Sequence, residues 1–85
     1  MYLYTYNSNI GTFEIKQVGH DRYELWIEYE LVGSYNSAES AAEDISSFNT
    51  GYNEWDKFHN DTQDFPSNIS EWAQVKEVYY DLEQT

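Results

Sequence analysis

The sequence predicts an α+β fold, in which an antiparallel sheet of three or four strands carries one amphipathic helix packed on a face, with short C-terminal helical structure after it. Three observations support this fold class. Apolar and polar residues alternate with period two over the first third of the chain, and residues 37–48 carry an apolar stripe at helical spacing. The 85 residues also include three Trp, nine Tyr and four Phe, whereas acidic disordered chains lack aromatic residues. We therefore expect residues 1–85 to form a single acidic domain.

The first two strands are predicted from this alternation and from the turn residues between them. Residues 2–6 alternate tyrosine with Leu or Thr, and the polar residues 7–9 supply a turn. The second strand then places Phe13 and Ile15 on one face, and residues 19–21 close the next hairpin.

The next strand is expected to present alternate residues to opposite faces of the sheet. Its core face holds Tyr23, Leu25 and Ile27, and its other face holds Glu24, Trp26 and Glu28. A further strand over residues 31–35 follows if the chain turns at Glu28 and Tyr29. Because this turn has neither Asn-Gly nor Asp-Gly, one long bent strand is the alternative.

A helix is predicted over residues 37–48. Asn36 or Ser37 provides the N-cap, and Glu39 stands three residues after Asn36, as in a capping box. The apolar stripe consists of Ala38, Ala41, Ala42, Ile45 and Phe48. Its small alanines let the helix lie close to the sheet, and Gly51 is expected to end it in a left-handed conformation.

The C-terminal third is predicted to be partly helical. A short helical turn is expected at residues 53–58, followed by a loop, and residues 67–71 after Pro66 resemble a capped helix start. Helical spacing then relates Val75, Val78, Tyr79 and Leu82. Residues 75–80 are also rich in strand-forming residues, so a strand is the alternative there.

Charge and composition narrow the classes of function. Sixteen acidic residues against four basic ones give a net charge of -12, which repels nucleic acid and anionic membranes and suits a basic partner. Without cysteine the chain has no disulfide, zinc-thiolate site or thiol nucleophile. No apolar run approaches the roughly 20 residues of a membrane span, and no signal peptide is recognisable. A cytoplasmic protein is therefore expected.

The outward carboxylates are the first candidates for partner binding. One strand face is expected to carry Glu24, Glu28 and Glu30 with Trp26, at spacings of roughly 6.6 Å, and the helix adds Glu39, Glu43 and Asp44, with helical neighbours roughly 6 Å apart. Such rows can imitate a phosphate backbone and meet the Lys and Arg residues that line a nucleic-acid groove. The alternative is a solvated face that serves solubility, although the charge exceeds the roughly 2 to 8 that suffices for this purpose.

Trp26 is the second candidate, because it is expected to face away from Leu25 and Ile27. An exposed Trp flanked by carboxylates is typical of a binding anchor. The alternative is that a second layer, such as the C-terminal segment with Trp72, covers it. Trp55 and Trp72 themselves are expected to be core or lid residues, because only a small helix is available to cover the sheet.

No catalytic, cofactor-binding or metal-binding residue is predicted. His20 lies in a turn and His59 in an acidic loop, and neither has a nucleophile motif or paired metal-ligand spacing. The set Asp56, His59, Asp61 and Asp64 does not match the twelve-residue calcium loop.

A resemblance to known proteins spans residues 4–72 and depends on a pattern of short segments. The pattern consists of Gly11-Thr12-Phe13-Glu14-Ile15, Tyr23-Glu24-Leu25-Trp26-Ile27, Leu31-Val32-Gly33-Ser34-Tyr35, Ala41-Ala42-Glu43-Asp44, Thr50-Gly51, Trp55-Asp56, Pro66 and Glu71-Trp72. This pattern resembles a family of short, acidic, uncharacterised bacterial proteins, and the resemblance implies no activity. The chain departs from it at Tyr29, where a tight-turn glycine is expected, and in its tyrosine-rich start and extended tail. In character alone it is similar to phage-encoded anti-CRISPR and other anti-defence proteins.

Together these features predict a non-enzymatic protein that binds a basic surface and blocks it by nucleic-acid mimicry. The expected partner is a CRISPR effector or another nucleic-acid-binding complex, without direct contact to nucleic acid or membrane. The alternative is a small intracellular regulatory module of the antitoxin type, whose acidity serves solubility; an enzyme is the third possibility. The oligomeric state is not predicted.

Overall fold

The computed structural model describes residues 2–8, 10–58 and 65–76. The strands are β1 (Tyr2–Ser8), β2 (Gly11–Gly19), β3 (Arg22–Ile27), β4 (Glu30–Tyr35) and β5 (Ala73–Lys76). The helices are α1 (Ala38–Ser46) and the short α2 (Asn53–Asp56), and a 3₁₀ turn spans Ile69–Glu71.

The five strands form one antiparallel sheet in the order β4-β3-β2-β1-β5. Strands β1 to β4 follow each other in sequence as a meander, and β5 pairs with the remaining edge of β1. The sheet therefore holds more strands than the predicted three or four. The chain turns between β3 and β4 at Glu28 and Tyr29, so the alternative of one long bent strand is wrong.

Within the described residues the predicted C-terminal helix is also wrong, and its alternative, a strand, is confirmed at Val75 and Lys76. Only the turn at Ile69–Glu71 is helical, with the Asn68 side chain accepting from the Ser70 N–H, and the chain then becomes extended. β5 places Val75 opposite Leu3 and satisfies backbone groups that β1 would otherwise leave unpaired. Residues 77–85, with the predicted positions Val78, Tyr79 and Leu82, lie outside the described part of the chain.

The core lies between α1 and one face of the sheet. It comprises Phe13, Ile15, Leu25, Ile27, Ala38, Ala41, Ala42, Ile45, Trp55 and Trp72. Ala41 is fully buried and Ala42 is 1% exposed, which confirms that the small residues let α1 approach the sheet. The Trp55 ring packs edge-on against Phe13, with ring centroids 5.1 Å apart.

Helix α1 begins at the predicted cap but ends early. Ser37 is the N-cap, and its hydroxyl accepts from the Ser40 N–H at 3.1 Å, so the alternative cap at Asn36 with Glu39 is wrong. At the other end Phe48, with φ of 57°, is the left-handed residue that follows the helix directly. Gly51 is also left-handed, as expected, with φ of 85°, but it lies beyond the helix end at Ser46. The Phe48 ring stacks on Trp55 at 4.7 Å, and this contact compensates for an unfavourable backbone angle.

Candidate functional site

The face of the sheet opposite α1, here called the open face, carries two rows of side chains in register. One row contains Val75, Leu3, Lys16, Glu24 and Ser34, and the other contains Ala73, Thr5, Glu14, Trp26 and Leu31. Leu31 and Val75 at opposite edges are 47% and 48% exposed. The open face therefore presents apolar margins around a charged centre.

Trp26 lies at this centre and is half-buried. Its indole Nε1–H donates to Glu24 Oε1 at 3.1 Å, which fixes the orientation of the ring. The Lys16 ammonium stands over the ring, 4.8 Å from its centroid, and lies 3.7 Å from Glu14 Oε1. The predicted direction of Trp26 is thus confirmed. Trp72 does not cover it, because Trp72 packs in the core on the other side against Phe13, with centroids 6.2 Å apart.

A shallow groove of about 390 Å³ runs beside Trp26. Its lining consists of Thr12, Glu14, Lys16, Trp26, Glu28 and Tyr29. Tyr29, at the tip of the β3–β4 turn, is 94% exposed. The groove therefore combines an aromatic face, carboxylates and one ammonium with an unprotected phenol at its rim.

Glu28 forms one end of this groove and is held in place by Thr12. Its carboxylate Oε2 accepts from the Thr12 N–H at 2.6 Å, and its own N–H donates to the Thr12 carbonyl at 2.9 Å. These bonds hold Glu28 in a left-handed conformation with φ of 57°. Gly11 leaves the necessary space, because a Cβ at that position would lie 2.5 Å from Glu28 Cγ. The predicted binding residue Glu28 thus has a structural role.

Glu30 does not share a face with Glu24 and Trp26, contrary to prediction. It stands directly opposite Ile27 in the β3–β4 pair, and opposed residues of an antiparallel pair point to the same face. Ile27 points into the core, so Glu30 is exposed on the α1 side. The prediction assumed that alternate residues from Glu24 to Glu30 share one face. The two-residue turn at Glu28 and Tyr29 interrupts this alternation, so Glu30 lies on the other face.

The predicted helix carboxylates lie on that same side. Glu39 and Glu43 are exposed on α1, whereas Asp44 is half-buried and accepts from the Tyr35 hydroxyl at 2.8 Å. Burial, and then this hydrogen bond, raise the pKa of Tyr35 well above its usual range. Glu30, Glu39 and Glu43 are called the helix-side carboxylates below. The predicted residues therefore belong to two surfaces on opposite sides of the sheet.

Few carboxylates within the described ranges are neutralised by a cation. The ion pairs there are Lys16–Glu14 at 3.7 Å and Lys57–Glu54 at 3.8 Å, and the His20 ring lies 3.8 Å from Asp21. The helix-side carboxylates take part in none of these, and no hydrogen bond from another described side chain engages them. Within the described part of the chain, Lys16, Arg22 and Lys57 therefore leave their charge unneutralised.

The described residues bring no metal-binding cluster of three or more His, Asp or Glu side chains together. Asp56 is engaged in a turn, where its carboxylate accepts from the Thr50 N–H, the Thr50 hydroxyl and the Gly51 N–H at 2.8–3.1 Å. His20 is an exposed turn residue. His59, Asp61 and Asp64 lie outside the described residues.

Four residues that line the groove were not predicted as site residues from the sequence: Thr12, Glu14, Lys16 and Tyr29. The signal for two of them was cross-strand register, since Glu14 stands opposite Trp26 and Lys16 opposite Glu24. The pairing of β2 with β3 shifts register between Gln17 and Gly19. Alternation of apolar and polar residues does not reveal such a shift.

No protein-family model matches the chain, and comparison with curated proteins and with solved structures also gives no match. Neither helix within the described ranges has the length and apolar character needed to cross a membrane.

Proposed function

We propose that this chain is a non-enzymatic inhibitor or adaptor that binds a basic, nucleic-acid-handling protein through its exposed carboxylates and occupies the place of nucleic acid. A CRISPR effector or another defence complex is the partner class that best fits this chemistry. The proposal takes the cell interior as the site of action, where such complexes operate.

The observation that supports this function most strongly is the state of the helix-side carboxylates. Glu39 and Glu43 are exposed and one helical turn apart, and none of Lys16, Arg22 and Lys57, whose side chains the structure describes, pairs with them. Neighbours at this spacing lie roughly 6 Å apart and form a short row of negative charge, as the phosphates of a nucleic-acid strand do. A solubilising charge requires no fixed spacing, whereas a mimic does.

Rigidity is the second support for the proposal. Helix α1 is fixed to the sheet by Ala41 and Ala42, which leave no room for it to shift. The backbone that carries the carboxylates is already ordered, so binding costs only the rotamer entropy of the side chains themselves. The helix backbone is therefore preorganised.

The test begins with capture of the partner from the native host and its identification by mass spectrometry. Duplex DNA or RNA should then compete with this chain for the partner, and added salt should weaken binding. The double variant Glu39→Gln with Glu43→Gln should bind at least about tenfold more weakly. The control Asp21→Asn with Glu54→Gln removes the same charge from exposed positions elsewhere and should change binding much less. Equal binding by both variants would mean that the acidity serves solubility.

A further inference from the structure

The position of Lys16 shows that the groove on the open face already accommodates a cation. Its ammonium lies 4.8 Å from the Trp26 ring centroid and 3.7 Å from Glu14 Oε1, so it has both an aromatic face and a carboxylate as neighbours. The Lys16 side chain is nevertheless 41% exposed. An exposed lysine in such a position gains little free energy and is readily displaced.

The groove also contains acidic and aromatic side chains other than the two that lie beside Lys16. Glu24 Oε1 already holds the indole N–H, which leaves the aromatic face of Trp26 in a fixed orientation. Glu28 is fixed at the other end through Thr12, and Tyr29 extends from the rim with 94% of its surface exposed. Aromatic and acidic groups in fixed positions suit a planar guanidinium, which can stack and form paired hydrogen bonds at once.

We propose that this groove receives an arginine side chain of the protein partner, stacked on Trp26 and paired with Glu14, while Lys16 moves out to solvent. This inference rests on the proposed function, because it assumes a basic protein partner. Charge complementarity selects that occupant, since nucleic acid and a second copy of this chain, with net charge -12, are both repelled. The groove would thus determine where the partner docks, in addition to the charge on the α1 side.

The test uses the full chain and a pentapeptide amide that carries two arginines, with the citrulline peptide as the neutral control. Two-dimensional amide NMR follows the Trp26 indole N–H and the Thr12 backbone N–H during titration. The arginine peptide should shift both signals, and the citrulline peptide should not. Trp26→Leu, which keeps every charge, should weaken binding of the arginine peptide by about two- to fivefold.

Lys16→Ala provides the sharper measurement, because it removes the internal competitor. It should tighten peptide binding by about two- to fivefold. Lys57→Ala is the matched control: Lys57 also stands over an aromatic ring, Phe58 at 5.4 Å, and beside a carboxylate, but outside the groove. The change in peptide affinity caused by Lys57→Ala therefore shows the effect of removing one positive charge outside the groove.

Two results would overturn the inference. One is equal tightening by Lys16→Ala and Lys57→Ala, and the other is a peptide that shifts neither groove signal, even if it shifts α1 amides. Shifts confined to α1 would leave the proposed function intact, since that proposal depends on Glu39 and Glu43 and is tested with the captured partner. If the groove signals respond but the Glu39 and Glu43 variant binds that partner normally, the groove is supported and mimicry by α1 fails.

Discussion

The hydroxyl of Tyr35 donates a 2.8 Å hydrogen bond to Asp44 Oδ2 and so joins the end of β4 to α1. This bond occupies Asp44 Oδ2, and the Asp44 side chain is half-buried. It also connects the strand that ends the meander to the helix that covers it, so the exposed charge of α1 is displayed in a fixed position.

The Tyr35–Asp44 bond predicts a loss of stability at alkaline pH. Burial, and then the bond to Asp44, raise the pKa of Tyr35 above the ordinary 10.0, so the folded protein favours the neutral phenol. Its contribution is complete below pH 10.0 and is lost as pH rises above that value. Tyr35→Phe should therefore reduce the alkaline fall in the free energy of unfolding, measured by urea titration. The exposed control Tyr29→Phe should retain the parent profile, and an unchanged profile for Tyr35→Phe would contradict this role. A residual fall is expected from Tyr4, whose pKa is raised mainly by burial.

The contact between Gly11 and Glu28 predicts a specific glycine requirement. Gly11 has φ of 134°, and a Cβ there would overlap Glu28 Cγ at 2.5 Å. Gly11→Ala should lower the free energy of unfolding by about 1–3 kcal/mol, because it adds backbone strain and displaces Glu28 from Thr12. Gly19→Ala is the control, since its Cβ would meet only Arg22 Cβ, at 3.4 Å. Equal losses in the two variants would show that Glu28 does not need the space that Gly11 leaves.

The close approach of α1 to the sheet predicts that extra volume at Ala41 is not tolerated. Ala41→Leu should overpack the space beneath the helix and cost about 1–3 kcal/mol in thermal or chemical denaturation. Glu43→Leu adds a similar side chain on the exposed side of the same helix and should cost much less. If Ala41→Leu unfolds together with the parent, the helix does not dock as described.

The two buried tryptophans predict different responses to loss of the indole N–H. Trp55 Nε1–H donates to the Ile45 carbonyl at 2.9 Å, whereas Trp72 Nε1 is buried without a hydrogen-bond partner among the described residues. Trp55→Phe should therefore be about 1–2 kcal/mol more destabilising than Trp72→Phe in chemical denaturation. The reverse order would indicate that the Trp72 N–H is satisfied in solution.

The sequence predicts those parts of the fold that depend on local pattern. Alternation assigned Phe13, Leu25 and Ile27 to the core and turned Trp26 away from it, because neighbouring strand residues must face opposite sides. The fifth strand was not predictable in this way. Val75 fits a helix or a strand equally well, and the deciding fact is the unpaired edge of β1, where its partner is Leu3, far away in the sequence.

In the candidate site, too, some positions follow from neighbouring residues in the sequence, and others depend on pairing between strands. Trp26 and Glu24 follow from alternation within one strand. The side on which Glu30 lies depends on the length of the β3–β4 turn, and the groove depends on cross-strand register that brings Glu14 and Lys16 to Trp26. Asp44 appeared free in a helical pattern, yet its bond to Tyr35 is formed only once α1 packs on the sheet.

The central claim is that the carboxylates of α1 bind a basic protein as a substitute for nucleic acid. Its most direct test is the Kd for the captured partner between about 50 and 200 mM salt, compared between the parent and the Glu39→Gln, Glu43→Gln variant. Mimicry of nucleic acid predicts that the affinity of the parent falls steeply as the salt concentration rises. The variant should bind at least about tenfold more weakly at low salt, and its affinity should depend less on the salt concentration. If the two proteins show the same Kd and the same salt dependence, the carboxylates of α1 are not the binding surface and the claim is wrong.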